Sequence, residues 1–180
     1  VDVYIFNYSK QSSPDFLNNK NQLEALQHKC IHEINSHENI PNLHSTDVII
    51  DAIFGIGLSK PILDLPAAVI NAINASLAKV ISIDVPSGLF ADTKSKSSFS
   101  IIKANETLTF QFPKLSFLFS ENSPYIGNGH ILDIELIIPN ELLNSCDKFY
   151  LTKNAVSKLL KPRQKFSHKG TFGHSLLIAG

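Results

Sequence analysis

Apolar positions along this chain fall into short continuous runs separated by amphipathic stretches. Val1-Asp2-Val3-Tyr4-Ile5-Phe6 alternates, as a half-buried strand does. Ser12-Ser13-Pro14-Asp15 is a helix-start signal, with Ser13 as N-cap and Pro14 at the first helical position. Phe16, Leu17, Leu23, Leu26, Cys30, Ile31 and Ile34 then recur near helical spacing, which predicts an amphipathic helix up to about Ser36. Pro41 to Ser45 reads as a loop. Asp47 to Phe54 (DVIIDAIF) is a nearly unbroken β-branched run, the pattern of a strand buried on both faces, and Gly55 and Gly57 end it. Leu65 to Leu77 predicts a helix through Val69, Ile70 and Ile73. Val80 to Ile83 (VISI) predicts another buried strand, closed by Asp84-Val85-Pro86-Ser87-Gly88. Residues 91–100 are a polar loop, Glu106 to Phe112 a third buried strand, and Ile131 to Ile138 an edge strand.

Strand and helix in alternation predict an α/β fold, a mostly parallel sheet with helices on its faces. Strands 47–54 and 80–84, joined by one helix, should be parallel neighbours. The character changes from Tyr150. Thr152 to Leu160 predicts a short amphipathic helix, Lys161 to His174 gathers basic residues and His, and an apolar strand is expected from Ser175. A boundary near Asn144–Lys148 divides the chain into 1–145 and 150–180.

Composition narrows the classes. A hydrophobic share of 43% against 18% charged suits a folded core and excludes a disordered or collagen-like chain. Lys+Arg and Asp+Glu are both 16, so there is no electrostatic footprint for nucleic acid or an anionic membrane. Cys30 and Cys146 are too few for a disulfide framework and fit a reducing compartment, so the cytoplasm is the expected location. No apolar run approaches the ~18 residues of a membrane span. The chain holds no Met, opens on Val1 inside a strand-like pattern and stops at an apolar run ending in Gly180. It reads as an internal stretch of a longer protein.

Several residues could carry chemistry. Asp51 lies in the middle of an apolar strand, where a carboxylate is costly unless a cation or several donors compensate it. It either caps nearby backbone or ligates a cation or substrate; both readings stand at this stage. Asp84 ends the next strand. Ligands in open parallel sheets bind beyond the strands' carboxyl ends, and Asp51 and Asp84 can both approach that edge. In the turn after Asp84, Pro86 fixes φ and Gly88 permits φ > 0, which holds Ser87 nearby. Gly55-Ile56-Gly57 lets backbone approach a phosphate ahead of a helix N-terminus, yet lacks the third Gly of the dinucleotide fingerprint and also suits a purely structural turn. His28 and His32, four apart on the predicted first helix, have the spacing of metal ligands but no third ligand in register, so a solvated face is favoured. Cys30 falls on the apolar side, as core.

Four motifs in order, Asp51-Ala-Ile-Phe-Gly-Ile-Gly-Leu, Ser82-Ile-Asp-Val-Pro-Ser-Gly-Leu89, Ala104-Asn-Glu-Thr-Leu-Thr-Phe110 and Phe112-Pro-Lys-Leu115, resemble the YjeF N-terminal domain family, the NAD(P)H-hydrate epimerases. The resemblance covers about residues 1–140. It implies a Rossmann-like three-layer sandwich. The tail, Lys161-Pro-Arg through Ser167-His-Lys-Gly-Thr-Phe-Gly-His174, resembles the start of the ribokinase-like, ADP/ATP-dependent NAD(P)H-hydrate dehydratase domain that follows the epimerase in bifunctional repair enzymes. The job so implied is metabolite repair. R and S forms of hydrated NADH and NADPH are interconverted, and the S form is dehydrated with ADP or ATP. By the same resemblance Asp51 and Ser87 fall on potassium-ligand positions. Gly55, Ile56, Gly57, Leu58, Ser59, Lys60 and Pro61 fall on the loop that holds the hydrated dinucleotide. Asp84 falls on a substrate contact and is the expected proton-transfer group. By the same resemblance the family's Asn/Gly/Asp-rich loop, which supplies another potassium ligand and much of the phosphate cradle, lies before Val1, and activity is expected of the longer parent rather than of this stretch alone. The implied partner is the small-molecule hydrate, without nucleic acid or membrane; a homo-oligomer is compatible. The alternative is a non-catalytic YjeF-type nucleotide-binding or scaffold domain.

Overall fold

All strand pairings among the described residues of the computed structural model are parallel. The described residues are 1–6, 12–26, 30–95, 99–160, 162 and 164–178. The strands are β1 (Val3–Phe6), β2 (Ile31–Ile34), β3 (Val48–Asp51), β4 (Lys79–Ile83), β5 (Glu106–Phe110) and β6 (Asn128–Leu132). The helices are α1 (Pro14–Ala25), α2 (Asp64–Ser76), α3 (Ser123–Ile126), α4 (Asn140–Asn144) and α5 (Lys153–Leu159). One sheet has the order β3-β4-β5-β6, and β1 pairs with β2 separately. The expected β3-α2-β4 unit is therefore present, with Ile49 opposite Val80 and Asp51 opposite Ser82. The fold is α/β with parallel sheets, in keeping with a Rossmann-like arrangement. The chain divides into two compact units, Val1–Leu136 and Ile137–Gly180, a division upstream of Asn144–Lys148.

In the first unit α2 presents Pro66, Val69, Ile70 and Ile73 on one face. They join Ile34, Ile62, Val80, Ile102 and Ala104 in the main core, with Ile49, Ile53 and Leu58 packed against it. Each fully buried Val or Ile contributes about 1.5–3 kcal/mol relative to exposure. Asn74, in the last turn of α2, clips the helix to a neighbouring loop. Its Nδ2 donates to the Ile101 carbonyl at 2.8 Å and its Oδ1 accepts from Lys103 N at 2.8 Å. A smaller core of Val85, Leu89, Ile101 and Ile126 packs the segment after β4.

Several expectations need correction. The first helix starts as predicted, with Ser13 accepting from Phe16 N, but it stops at Ala25. Ile31–Ile34 is a strand, β2, laid parallel on β1. The Ile31/Ile34 spacing suits a helix as well, and pairing with the edge of β1 decides the matter by satisfying backbone groups that local pattern cannot see. His32 consequently lies on a strand, 3.1 Å from Asp2 and stacked on Tyr4. His28 lies outside the described residues. Cys30 is only partly buried. The run 47–54 is strand only over Val48–Asp51, and Val48 and Ile50 are exposed rather than covered on both faces. β5 stops at Phe110, where Gln111 takes a left-handed φ of 60°. The edge strand begins at Asn128 and ends at Leu132, not 131–138.

In the second unit α5 forms where the amphipathic pattern placed it, and Thr152 caps it by accepting from Ala155 N at 3.1 Å. The strand expected from Ser175 does not form. Leu176, Leu177 and Ile178 are exposed, and no strand pairs with them among the described residues. A strand without a partner leaves its backbone groups to water, so apolar composition alone does not make one. Among the described residues no helix is long and apolar enough to cross a membrane.

Candidate functional site at the carboxyl ends of the strands

A parallel sheet brings the ends of its strands to one edge, and β3 and β4 deliver Asp51 and Asp84 there. Asp51 is wholly buried. Its Oδ2 accepts from Ser82 Oγ at 2.7 Å and from Ser87 N at 2.9 Å. Its Oδ1 accepts from Ser87 Oγ at 2.5 Å and, more weakly, from Ile53 N at 3.4 Å. The register explains Ser82, which stands directly across the ladder from Asp51. The turn explains Ser87. Val85 N bonds Ile83 O at 2.9 Å and Leu89 N bonds Pro86 O at 2.9 Å, winding the chain tightly after β4. Gly88 completes the turn at φ 98°, where a Cβ would stand 2.3 Å from the Ser100 carbonyl, so only glycine fits. Ser87 Oγ also accepts from Phe54 N at 2.9 Å, tying the loop after β3 to the turn after β4.

The donors satisfy the hydrogen-bonding capacity of Asp51, and this is the capping role weighed above. They do not neutralise it. Among the described residues no cationic side chain meets Asp51. Asp51 Oδ1 and Ser87 Oγ lie 2.5 Å apart, and a carboxylate beside a hydroxyl is an all-oxygen pair of the kind a hard cation prefers. No group of three or more His, Cys, Asp or Glu gathers among the described residues, so the set does not suit a transition metal.

Asp84 occupies the first position after β4 with a left-handed φ of 65°. Its backbone N donates to Leu108 O at 2.8 Å, which aims the side chain at the end of β5. There Thr109 Oγ1 at 3.2 Å, Phe110 N at 3.0 Å and Lys114 Nζ at 2.7 Å all meet Oδ1. Among the described residues no donor meets Oδ2. Burial by itself would raise the Asp84 carboxyl; the Lys114 ammonium, the Phe110 amide and the Thr109 hydroxyl outweigh it and hold the group below the usual carboxylate value. Asp84 is therefore ionised at neutral pH, with its donors gathered on one oxygen.

The Gly55–Pro61 stretch forms the loop between β3 and α2. Neither Gly55 nor Gly57 has a left-handed φ, and nothing lies within 4 Å of where a Cβ would stand. A purely structural turn therefore does not require these glycines, while close backbone approach by a ligand would use the open space. Leu58 turns inward against the core. Gly55, Ile56, Gly57, Ser59, Lys60 and Pro61 are exposed. The helix that follows starts only at Asp64, whose carboxylate sits in its first turn. That negative charge makes the helix N-terminus a poor phosphate seat, contrary to expectation. The loop's own backbone is what remains for a phosphate.

Asp51, Ser87 and the two residues Ile53 and Phe54 that lead into the loop are thus joined by hydrogen bonds, while Asp84, at the end of β4, bonds toward β5. Sequence reasoning missed Lys114 and Thr109. Thr109 was legible as an alternate residue of β5, but which carboxylate Lys114 would meet was not.

A family model described as YjeF-related protein N-terminus matches residues 1–116. The Bifunctional NAD(P)H-hydrate repair enzyme Nnr of Thermofilum pendens is 37% identical over 134 residues, covering 74% of this chain and 25% of its own length. The NAD(P)H-hydrate epimerase of Weissella koreensis is 37% identical over 125 residues, covering 69% of this chain and 55% of its own. The chain thus spans about a quarter of the bifunctional relative and about half of the epimerase. The crystal structure of yeast ynu0, YNL200c, superposes with a TM-score of 0.53 at 19% identity, over 84% of this chain and 63% of that one, a likeness of fold. Matched from Val1 to Ser116, with the motif residues placed at one edge of a parallel sheet, the chain belongs to the YjeF-related protein N-terminus family.

Proposed function

We propose that this chain carries the epimerase part of a metabolite-repair enzyme, interconverting the R and S forms of hydrated NADH and NADPH. One observation above all supports this: an ionised Asp84 at the end of β4, with all its donors on one oxygen, in the same unit as an exposed glycine loop whose backbone no side chain covers. Hydration makes the nicotinamide C6 carbon stereogenic. Inversion requires the hydroxyl to leave and return on the other face, or the ring to open and reclose, and in the second route every proton transfer falls to one carboxylate. The carboxylate takes the C6 hydroxyl proton, the oxygen becomes a carbonyl as the C6–N1 bond breaks, and N1 keeps the electron pair. After rotation N1 attacks the other carbonyl face, and Asp84 returns the proton to the oxygen. The base acts in both directions without leaving its place, which suits the fixed Oδ1.

Gly55 to Pro61 would hold the dinucleotide, with Gly55 and Gly57 giving backbone N–H groups access to its pyrophosphate. Asp51 and Ser87 would hold a potassium ion, whose charge would compensate the buried carboxylate. The reading extends to the parent protein: residues 150–180 would begin a ribokinase-like dehydratase domain that uses ADP or ATP, following an epimerase domain over 1–145. We place the protein in the cytoplasm, with the hydrate as its partner rather than nucleic acid or membrane, and a homo-oligomer as a compatible state.

A thermal-shift comparison on the intact protein that carries this chain tests the binding. Hydrated NADPH should raise Tm by several degrees at concentrations well above its Kd, since ligand at about 100 times Kd stabilises by about 2.7 kcal/mol. Plain NADPH should raise it much less. Equal shifts would overturn the assignment of the hydrate as substrate.

A further inference from the structure

Lys114 is the least expected residue at the strand ends. It follows β5 by only a few residues, beyond the left-handed Gln111 and the Pro113 that turn the chain back. Its side chain is largely covered, with 16% exposure against 17% for Asp84. Covering an ammonium is costly unless its donors are used. Here they are: Nζ lies 2.7 Å from Asp84 Oδ1, 3.2 Å from the Phe110 carbonyl and 3.4 Å from the Phe112 carbonyl. One lysine therefore ties the end of β4 to the corner after β5. The carboxylate it holds would otherwise swing about its χ angles, exchanging its two oxygens. With Thr109 Oγ1, Phe110 N and Lys114 Nζ all on Oδ1, that exchange would break three contacts at once. Lys114 is the only charged group the described residues bring to Asp84.

We propose that Lys114 is the positioning residue of the reaction, pinning Asp84 Oδ1 so that Oδ2 alone is presented for proton transfer. The proposal rests on the epimerase reading above, and deepens it by assigning a second residue to the same site. Lys114 does not itself exchange the proton; its donors are committed to Oδ1 and to the two carbonyls.

The test uses the intact protein with Lys114→Met and Lys114→Arg. Lys114→Met removes the charge and both carbonyl bonds. Its kcat should fall about 10- to 100-fold, the order expected when a reacting group is misplaced by an ångström or so, with KM within about threefold of wild type. The acid limb of its pH–rate profile should move up as the neighbouring cation is lost. Lys114→Arg keeps the charge and should hold the limb near its wild-type position while recovering part of kcat. A purely structural lysine would lower the folded fraction without moving the limb, and that result would overturn the proposal, as would an unchanged Lys114→Met. A readout independent of turnover separates the two claims. The Asp84 carboxyl, followed by carbon NMR against pH, should titrate below the ordinary value in wild type and rise in Lys114→Met. If wild type does not epimerise but this shift is seen, the functional reading fails while the pinning stands; if the carboxyl titrates alike in both, the pinning is wrong.

Discussion

Asp84→Asn in the intact protein is expected to slow epimerisation by about 10²–10⁴-fold, the usual contribution of a general acid/base group. The amide keeps the size of the side chain and can still accept from Thr109 Oγ1 and Phe110 N at its carbonyl oxygen. It cannot take a proton from the substrate hydroxyl, so binding should persist while turnover fails. The variant also loses its ion pair with Lys114. Because the folded Asp84 carboxyl lies below its ordinary value, its interaction stabilises the fold above the unfolded pKa of about 3.9. That contribution fades as pH falls through the folded value. The stability of the variant should accordingly lie below wild type at neutral pH and converge with it in acid. Chiral separation of the two hydrates gives the rate, and urea unfolding at pH 7 and at successively lower pH gives the convergence. Undiminished epimerisation would remove Asp84 from the mechanism.

The second large effect is on folding. Asp51→Ala strands Ser82 Oγ, Ser87 N and Ser87 Oγ in a site without solvent access. A buried donor left without its acceptor costs about 1–3 kcal/mol. With Ser87 Oγ relieved by turning to the Phe54 carbonyl it already approaches at 3.4 Å, the other two put the loss at roughly 2–6 kcal/mol. That is a large part of the 5–15 kcal/mol typical of a domain. Urea unfolding should show it as a shift of midpoint, and a loss under about 1 kcal/mol would mean the network is not what holds the two strand ends together. The same pair of proteins tests the cation. Replacing sodium by potassium should raise Tm of wild type and leave Asp51→Ala unmoved; equal responses would remove the ion from the Asp51–Ser87 pair.

What could be read from the sequence follows from the physics of parallel sheets. DVIIDAIF and VISI are continuous apolar runs joined by a helical period, and this pattern admits few arrangements other than β3-α2-β4. Once the strands are parallel, their carboxyl ends meet, and Asp51, Ser87 and Asp84 follow from their places at the ends of the runs. Even Ser82 was within reach, since the register that pairs Ile49 with Val80 sets it opposite Asp51. Tertiary choices were less legible. Ile31 and Ile34 satisfy either period, and only the edge of β1 makes them a strand. The apolar tail from Ser175 has strand composition but no partner among the described residues. Lys114 was hidden for a different reason. A lysine after a Pro carries no local sign of which carboxylate it will cover.

The central claim is that the strand-end crevice inverts a hydrated nicotinamide ring. It is tested most directly by giving the intact wild-type protein one pure epimer of hydrated NADPH, without ADP or ATP, and following both epimers by chiral separation. The account predicts that the single epimer relaxes to the equilibrium mixture far faster than in buffer, from either starting epimer. Relaxation no faster than in buffer would contradict it.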